Sequence, residues 1–353
     1  MRTRIAIIGS HGLYANYGGW DQLVNNLAEK KSKNIEYLIF NSLESKISGQ
    51  IPPGVKVKYL NIRASGFQGL FYDFWSICLC FWKVDVLLLL GTQGIPLVFF
   101  LLPFIKIRLV SNIGGIEWER PKFNYLAKLY LKFCFKVSTK ISHSLILDNF
   151  YYRKILPEKV TASVHIIPYG GTIDSSLIIT DAICEKYPFF NKKYYLSVSR
   201  ALEDNLILEL CESFAGTLNH LVIISNFSTS VYGTKVYEKY NELSNITLIN
   251  GLYNKPELDL IRRNCTAYIH THTLCGTAPS LVEMVVCRKP IISIDIPQNR
   301  YTLNNQGFYF NDFSVIQSFI EVNPILDQYI PAEEIAESYN WGKIIKSYET
   351  LFF

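Results

Sequence analysis

Short apolar runs alternate with helix-length segments along the whole chain, and the alternation starts again after residue 170. The first series begins with RIAIIG (4–9) and EYLIFN (36–41), and the second begins with YYLSVSR (194–200). Strands that alternate with helices form parallel sheets with both faces covered. The sequence therefore predicts two doubly wound α/β domains, which bind ligands at the carboxyl ends of their strands. The other predicted strands are VKYLNI (57–62), VDVLLLL (84–90), IRLVSNI (107–113), LVIISN (221–226), ITLING (246–251), AYIHTH (267–272) and PIISID (290–295).

The composition is that of a folded chain with a large buried core. Of the 353 residues, 49% are apolar and 18% are charged, a balance that excludes intrinsic disorder and fits about two domains. The apolar stretch 84–105 is nearly long enough to cross a bilayer, but Gly91, Gly94 and Pro96 interrupt it. These breaks favour a buried strand, a turn and a helix over a membrane span.

The cysteines and the first residues indicate the compartment. The eight cysteines form no C-x-x-C pair and no cluster with histidine, which favours reduced thiols. The first apolar run is too short for a signal peptide. We therefore expect a cytoplasmic protein.

Charge divides the chain into a basic half and an acidic half. Residues 1–170 hold 21 Lys and Arg against 10 Asp and Glu, whereas residues 171–353 hold 14 against 20. Only the first half is therefore expected to face an anionic partner. The predicted regions are a first domain at 1–170, a second domain at 171–335 that opens with a linker at 172–188, and a helix at 336–353 within a helical pattern that starts near residue 332.

The turn after the first strand is rich in glycine but does not match a dinucleotide site. Gly9 and Gly12 give G-x-x-G, and the second strand ends in Asn41 where a dinucleotide site carries an acid. Gly18 and Gly19 open the next predicted helix, where backbone N–H groups can approach an anion or a sugar closely. An ordinary helix-entry turn is the alternative.

Arg200 directly follows a predicted strand of the second domain. Its guanidinium therefore lies at a carboxyl end of the sheet, where it could clamp a diphosphate through two hydrogen bonds. A solvated arginine in a loop is the alternative.

A second candidate ligand site connects strand 267–272 to a helix. Pro279 suits the first helical position, and the N–H groups of Ser280 and Leu281 would be free to cradle a phosphate. Glu283 could accept two vicinal ribose hydroxyls, or it could complete a capping box at the start of the helix.

The segment HTLCGTAPSLVE (272–283) resembles the donor loop of glycosyltransferase family 4, whose E-x7-E motif ends in the glutamate that holds the ribose. Its form H-x-x-x-G-T-x-P-S-L-x-E resembles that of bacterial β-1,4-rhamnosyltransferases that use dTDP-rhamnose. The resemblance to this subgroup spans nearly the whole chain. It also includes IAIIGSHGLYANYGGWDQLV (5–24), NIGGIEWER (112–120), LILDN (145–149), IPYG (167–170) and SRALEDN (199–205).

The resemblance implies the GT-B architecture, with two Rossmann-like domains facing across a cleft and the final helix returning to the first domain. The first domain would take the acceptor and the second the nucleotide-sugar. Arg200 would bind the diphosphate, and Asp21, Glu117 and Arg200 are the candidate catalytic residues. Glu283 would bind the ribose. The other implied donor-binding positions are Gly18, Gly19, Asn112, Asp148, Asn149, Asn205, His272, Gly276, Thr277, Pro279, Ser280 and Leu281.

Two positions depart from the family pattern. Cys275 replaces the first glutamate of E-x7-E, which removes a contact to a sugar hydroxyl and fits a deoxysugar donor. Gly114 replaces the aspartate of the subgroup's N-x-D-G-x-E-W motif, so the protein has changed substrate or uses Glu117 or Asp21 instead. The donor sugar is therefore open, with rhamnose expected first and another hexose as the alternative.

The resemblance implies retention of anomeric configuration without an obligatory metal ion or other cofactor. No D-x-D triplet in the sequence would hold a divalent ion beside the diphosphate, which agrees. Positioning and stabilisation of the leaving diphosphate would then carry the catalysis. His11 and His272, at predicted strand ends, could transfer a proton, although a lone histidine is more often a structural hydrogen-bonding group.

A predicted helix after Trp118 carries Lys128, Lys132, Lys136 and Lys140 among aromatic residues. Such a stripe could contact anionic lipid headgroups at the inner face of the cytoplasmic membrane, or it could be an ordinary solvated face. We therefore expect a peripheral glycosyltransferase that extends a lipid-linked saccharide of O-antigen or capsule and does not bind nucleic acid. A non-catalytic nucleotide-sugar-binding partner of a polysaccharide assembly complex is the alternative from another class.

Overall fold

The computed structural model of the protein describes residues 2–15, 18–45, 49–120, 123–322 and 324–353. The chain divides into two compact units. The first comprises residues 1–169 and 341–353, and the second comprises residues 170–340.

The first unit is a parallel sheet whose described residues form seven strands in the order β3-β2-β1-β4-β5-β6-β7. The order reverses direction next to β1, which is the position where doubly wound sheets bind ligands. The strands are β1 (Thr3–Ile8), β2 (Ile35–Asn41), β3 (Val55–Tyr59), β4 (Val86–Leu90), β5 (Arg108–Asn112), β6 (Ser144–Leu147) and β7 (Ser163–Ile166), and the helices between them are α1 (Gly19–Lys30), α2 (Gln68–Cys80), α3 (Ile95–Leu101) and α4 (Tyr125–Ile141).

The second unit repeats this architecture, with six strands among its described residues in the order β10-β9-β8-β11-β12-β13. All the strand pairs described in both sheets are parallel. The strands are β8 (Tyr194–Val198), β9 (His220–Ser225), β10 (Ile246–Asn250), β11 (Ala267–His270), β12 (Ile291–Ile294) and β13 (Phe308–Phe310), and the helices are α5 (Asp181–Lys186), α6 (Ile207–Phe214), α7 (Val231–Tyr240), α8 (Lys255–Asn264), α9 (Pro279–Val286), α10 (Pro297–Thr302), α11 (Phe313–Glu321) and α12 (Glu333–Ser338).

The final helix, α13 (Trp341–Thr350), belongs to the first unit. Its predicted apolar face is buried in the same core as β1, β4 and β5. Polar contacts fix it as well, because Asn112 donates to the Tyr348 hydroxyl at 2.6 Å and Arg108 donates to the carbonyl of Leu351 at 2.6 Å. The predicted return of the carboxy-terminal helix to the first domain is therefore confirmed.

The helical pattern predicted from residue 332 is not a single helix. The chain breaks between α12 and α13, and residues 336–340 lie in the second unit, where the Tyr339 hydroxyl donates to the carbonyl of Thr302. The predicted linker at 172–188 also lies in the second unit and contains α5. The amide of Asp174 donates to the carboxylate of Asp259 at 2.8 Å, so this segment is attached to the unit that follows it.

The stretch 84–105 is a buried strand followed by a turn and a short helix, as its interrupting glycine and proline residues predict. Strand β4 is buried at every position and lies between β1 and β5, and α3 begins one residue after Gly94. Among the described residues, none of the helices is both long and apolar enough to cross a membrane.

Candidate functional site

In the second unit, two loops that follow neighbouring strands are bonded to each other. The loop after β8 offers the carbonyls of Asp204 and Asn205, and the loop after β11 donates to them from Thr271 and Thr273. Because parallel strands end at one edge of the sheet, both loops lie where α/β proteins bind their ligands. This edge of the second unit is the candidate donor site.

The loop after β8 presents Arg200 to solvent. Its side chain is exposed, whereas Asn205 is buried and donates from Nδ2 to the carbonyl of Arg200 at 2.7 Å. Asn205, a predicted donor-binding residue, therefore contacts the backbone of the loop at Arg200. Arg200 is left as the accessible cation of this loop.

The start of α9 differs in one detail from the prediction. Ala278 occupies the N-cap position and Pro279 the first turn, but the amide of Leu281 donates to the carbonyl of Ala278 at 3.0 Å. The prediction of a free Leu281 amide is therefore wrong, and the Ser280 amide is the remaining candidate for a phosphate contact. Thr277 is buried just before this turn, as is Gly276.

Glu283 is held by a buried arginine that the sequence analysis did not single out. Arg262, on α8, forms ion pairs with Glu283 and, at 2.8 Å, with Asp259. Arg262 is 3% exposed and Asp259 is fully buried, so this triad is shielded from water. The ion pair excludes the capping-box role, because Glu283 faces Arg262 and the N-cap Ala278 makes no side-chain cap. One carboxylate oxygen of Glu283 is thereby held by Arg262.

His270, His272 and Cys275 form a cluster at the end of β11. The candidate ligand atoms of the three side chains all lie within 4.8 Å of one another. His270 is fully buried, whereas His272 and Cys275 are partly exposed. Burial first, and the charge of His272 second, hold the pKa of His270 well below its usual range. The sequence prediction that no cysteine clusters with histidine is therefore wrong.

In the first unit, the glycine turn after β1 is built around two buried polar residues. Asp21 accepts a hydrogen bond from the amide of His11 at 2.9 Å, and its carboxylate lies 3.4 Å from Nδ1 of the same histidine. Burial lowers the pKa of His11, but the carboxylates of Asp21 and Glu44 together more than offset this effect, so the net pKa lies above its usual value. The predicted catalytic Asp21 thus sets the charge and orientation of His11.

Asn41 has a structural role in the same turn. Its side chain accepts from the amide of Leu13 at 2.9 Å and donates to the Leu13 carbonyl at 3.1 Å. A carboxylate in place of Asn41 could not make the second bond. Gly18 and Gly19 follow this turn and start α1, and among the described residues beyond its chain neighbours a Cβ atom at Gly18 would meet no atom within 4 Å. Asn16 and Tyr17 of the motif lie outside the described residues.

Gly114 lies against Trp20. Its φ is +60°, and a Cβ atom there would lie 2.8 Å from Cζ2 of Trp20. Gly91 lies beside the same indole, and a Cβ atom at Gly91 would lie 3.1 Å from Cη2 of Trp20. Trp20 therefore occupies the space into which an aspartate at position 114 would project, which gives the departure from the family motif a physical cause.

The other predicted residues of the first unit lie near the ends of β5 and β6. Asn112 is buried and both ends of its amide are used, because it also accepts from the amide of Gly114 at 2.8 Å. Glu117 forms an ion pair with Arg120 at 2.9 Å. Asp148 is 5% exposed, and Asn149 caps the turn after it by accepting from the amide of Tyr151.

Tyr169 is buried and interacts with two of these acids. Burial first, and then the charges of Asp148, Tyr348 and Glu117, hold the pKa of Tyr169 well above its usual range. That Asp148 and Glu117 line the donor cleft stays a prediction. Asn112 serves the fold there by linking β5 to α13.

Helix α4 carries the predicted lysine stripe. Lys132, Lys136 and Lys140 are exposed and Lys128 is partly exposed. A second feature of this surface does not appear among the sequence predictions. It is a set of exposed apolar side chains on α2, α3 and α4 and the turns beside them. Helix α3 packs against both α2 and α4. The set comprises Phe67, Phe71, Trp75, Trp82, Phe99, Phe100, Phe104, Tyr125, Leu126, Leu129 and Phe133, each at least 46% exposed.

Scans of protein-family models and of curated protein sequences find no match to this chain. Solved structures match over the full length. Sucrose-phosphate synthase from Thermosynechococcus elongatus is 14% identical with a TM-score of 0.81, covering 99% of this chain and 98% of that one.

Two further structures show the same likeness. HepE from Anabaena, solved in complex with UDP-glucose, is 12% identical with a TM-score of 0.74 and 99% of both chains covered. A UDP-forming α,α-trehalose-phosphate synthase from Burkholderia xenovorans, in complex with glucose-6-phosphate, is 12% identical with a TM-score of 0.69 and 100% of both chains covered. The chain therefore has the GT-B glycosyltransferase fold, and the predicted fold class is confirmed.

Proposed function

We propose that the protein is a glycosyltransferase that moves a hexose from a nucleotide-sugar to a lipid-linked saccharide during the synthesis of a cell-surface polysaccharide. The observation that carries this proposal is the fixed Glu283 carboxylate, which shares one edge of a sheet with the Arg200 loop and the start of α9. A nucleoside diphosphate needs this combination, because a carboxylate accepts from ribose hydroxyls while a cation and a helix start bind phosphate.

Arg200 and the Ser280 amide are assigned to the diphosphate. During transfer, the bond between the anomeric carbon and the diphosphate oxygen breaks, and an acceptor oxygen forms the new bond to that carbon. The acceptor proton passes to the departing phosphate oxygen, so the reaction balances without a further reactant. Stabilising negative charge on that oxygen is the protein's main contribution. That no metal ion takes part beside the diphosphate stays a prediction, as does retention at the anomeric centre.

Rhamnose from dTDP-rhamnose is the donor we propose first. Cys275 stands where the wider family places a glutamate that contacts a sugar hydroxyl. A deoxysugar lacks one hydroxyl, so the loss of that contact at Cys275 suits a deoxysugar donor. Glucose from UDP-glucose is the second candidate, because HepE, which shares the fold, was solved with UDP-glucose.

Membrane contact through the first unit belongs to the same proposal. The exposed aromatic and aliphatic side chains of α2, α3 and α4 could enter the headgroup region, while the α4 lysines would pair with anionic lipid. Large exposed apolar surfaces mark interaction sites in soluble proteins. The surface thus suits a cytoplasmic enzyme whose acceptor is held in the inner face of the membrane.

Thermal shift with nucleotide-sugars tests the donor site. The wild type, Glu283→Gln and Arg200→Ala are compared in dTDP-rhamnose, UDP-glucose and GDP-mannose, with Glu238→Gln and Arg288→Ala as matched controls. Losing one charge-assisted bond of about 1.5–3 kcal/mol should weaken binding about ten- to a hundredfold. The controls should match the wild type. If no nucleotide-sugar stabilises the wild type, or if all five proteins respond alike, the donor site is wrong.

Co-sedimentation with vesicles tests the membrane surface. Vesicles of phosphatidylglycerol and of phosphatidylcholine are compared, using the wild type and a variant with the four α4 lysines changed to glutamine. Each lysine near an anionic surface contributes about 1 kcal/mol, so the variant should lose most binding to phosphatidylglycerol. A control variant with glutamine at Lys33, Lys192, Lys193 and Lys235 has the same net charge. Equal binding of the two variants would remove the membrane from the proposal.

A further inference from the structure

The cluster of His270, His272 and Cys275 contains three side chains that bind transition metals, at one end of a rigid strand. His270 and His272 are two residues apart, so both side chains lie on the same face of the chain as it leaves β11. The turn that follows brings Cys275 back to them, with the candidate ligand atoms within 4.8 Å of one another. Two imidazoles and a thiolate are a ligand set typical of zinc.

The distances between the nitrogens suit one ion. Nδ1 of His272 lies 3.0 Å from Nε2 of His270 and 3.1 Å from its Nδ1. Two nitrogens bound to zinc at a tetrahedral angle are about 3.3 Å apart, and a nitrogen and a sulfur are about 3.6 Å apart. The Cys275 ligand atom lies within 4.8 Å of those of both histidines, so rotation of the His272 ring and of the Cys275 side chain would complete three of the four positions of a tetrahedral site.

A neighbouring tyrosine orients His270 for this role. The Tyr268 hydroxyl lies 3.4 Å from Nδ1 of His270, and it is also 3.2 Å from the carbonyl of Val198, to which it donates. The hydroxyl oxygen can therefore accept from Nδ1–H, and in that tautomer Nε2 carries the lone pair that an ion would bind. Histidine ligands of metals usually have such a partner on the other ring nitrogen.

Exposure at the cluster is graded in a way that lets an ion enter. His270 is fully buried, whereas His272 and Cys275 are partly exposed. The ion would be reached from the solvent side and anchored on the buried side, with a fourth position open to water.

We propose that His270, His272 and Cys275 form a zinc-class metal site with an open fourth position. Binding replaces the thiol proton of Cys275 by the ion, so one proton is released for each ion bound. The ion would tie the end of β11 to the turn that leads into α9. His272 and Cys275 also belong to the loop assigned to the donor, so in the metal-bound protein Cys275 would be a ligand and not a free thiol beside the sugar. Metal binding itself can be measured whether or not the protein transfers a sugar.

Cobalt substitution tests the site. Co²⁺ is titrated into the metal-free full-length protein, and thiolate-to-cobalt charge-transfer absorption is followed in the near ultraviolet. The wild type and Cys78→Ser, a control at an exposed cysteine, should both bind one ion per chain with this absorption. Cys275→Ser should lack it, and Zn²⁺ should displace Co²⁺ from the wild type.

Two more variants separate a metal site from a folding defect. Tyr268→Phe keeps the buried ring and should weaken Co²⁺ binding about ten- to a hundredfold. Circular dichroism shows whether each variant is folded. If Cys275→Ser does not fold, His272→Asn provides the test, because it should abolish the charge-transfer absorption of one Co²⁺ per chain. Absence of charge-transfer absorption in the wild type, or its persistence in folded Cys275→Ser or His272→Asn, would overturn the proposal.

Discussion

Gly114→Ala tests the contact between position 114 and Trp20. At φ +60° any L side chain is strained, which costs about 1–2 kcal/mol. The new Cβ would also lie 2.8 Å from Cζ2 of Trp20, and relieving such an overlap in a packed region costs about 1–3 kcal/mol. We expect the free energy of unfolding of the first unit to fall by about 2–5 kcal/mol.

Gly18→Ala is the matched control. Its φ of −168° is extended backbone open to any residue, and among the described residues beyond its chain neighbours no atom lies within 4 Å of the added methyl group. Its stability should therefore stay within about 1 kcal/mol of the wild type. In a thermal scan, Gly114→Ala should lower the melting temperature of its unit by at least about 4 °C, since a unit of this size loses about 2–4 °C per kcal/mol.

The double variant Gly114→Ala with Trp20→Phe separates the two contributions. The smaller ring removes the overlap but leaves the backbone strain, so the double variant should recover part of the stability lost by Gly114→Ala, measured against Trp20→Phe alone. Equal melting temperatures for Gly114→Ala and Gly18→Ala would refute the reasoning. If the stability losses of Gly114→Ala and Trp20→Phe simply add in the double variant, the contact with Trp20 is refuted and only the backbone strain at position 114 explains the loss.

Two further predictions concern buried charge. Burial raises the pKa of Asp73 to about 7. The contribution of its protonated carboxyl to folding stability is therefore fully present below pH 4 and is lost as the pH rises through 7. In urea unfolding, the free energy of unfolding of Asp73→Asn should rise by about 2–3 kcal/mol relative to the wild type between pH 5 and pH 8, and a difference between the two proteins that does not change with pH would contradict this. Arg262→Met leaves Asp259 and Glu283 buried without their cation and should cost about 3–5 kcal/mol in the same assay, whereas Arg263→Met, at the neighbouring and less buried position, should cost less than half as much.

Most of the fold follows from the apolar runs alone. The central strands are buried on both faces, so they appear as continuous runs such as VLLLL in β4. Strands β6, β7 and β13, of three or four residues each, were not predicted. Strands β11 and β12 also have four residues each, but they were predicted as parts of the longer runs 267–272 and 290–295.

The sequence predicts those site residues whose place depends on a single local segment, and not the contacts between separate elements. Arg200 and Glu283 follow from their places after a strand and within a helix start. Arg262 could not be found in this way, because its contact with Glu283 depends on how α8 and α9 pack. The histidine–cysteine cluster was within reach, since H-x-H at a strand end places both rings on one face, but the return of Cys275 depends on the path of the turn.

The first unit is interrupted in sequence by the whole of the second. A ribosome working at about 5–20 residues per second needs roughly 10–35 s to make residues 170–340, and throughout that time α13 does not exist. The core residues of β1, β4 and β5 that α13 covers are exposed during this interval, whereas the second unit has all of its own strands by residue 310. Synthesis therefore favours completion of the second unit before that of the first. The apolar surface of the first unit stays exposed until α13 is made and packs against it.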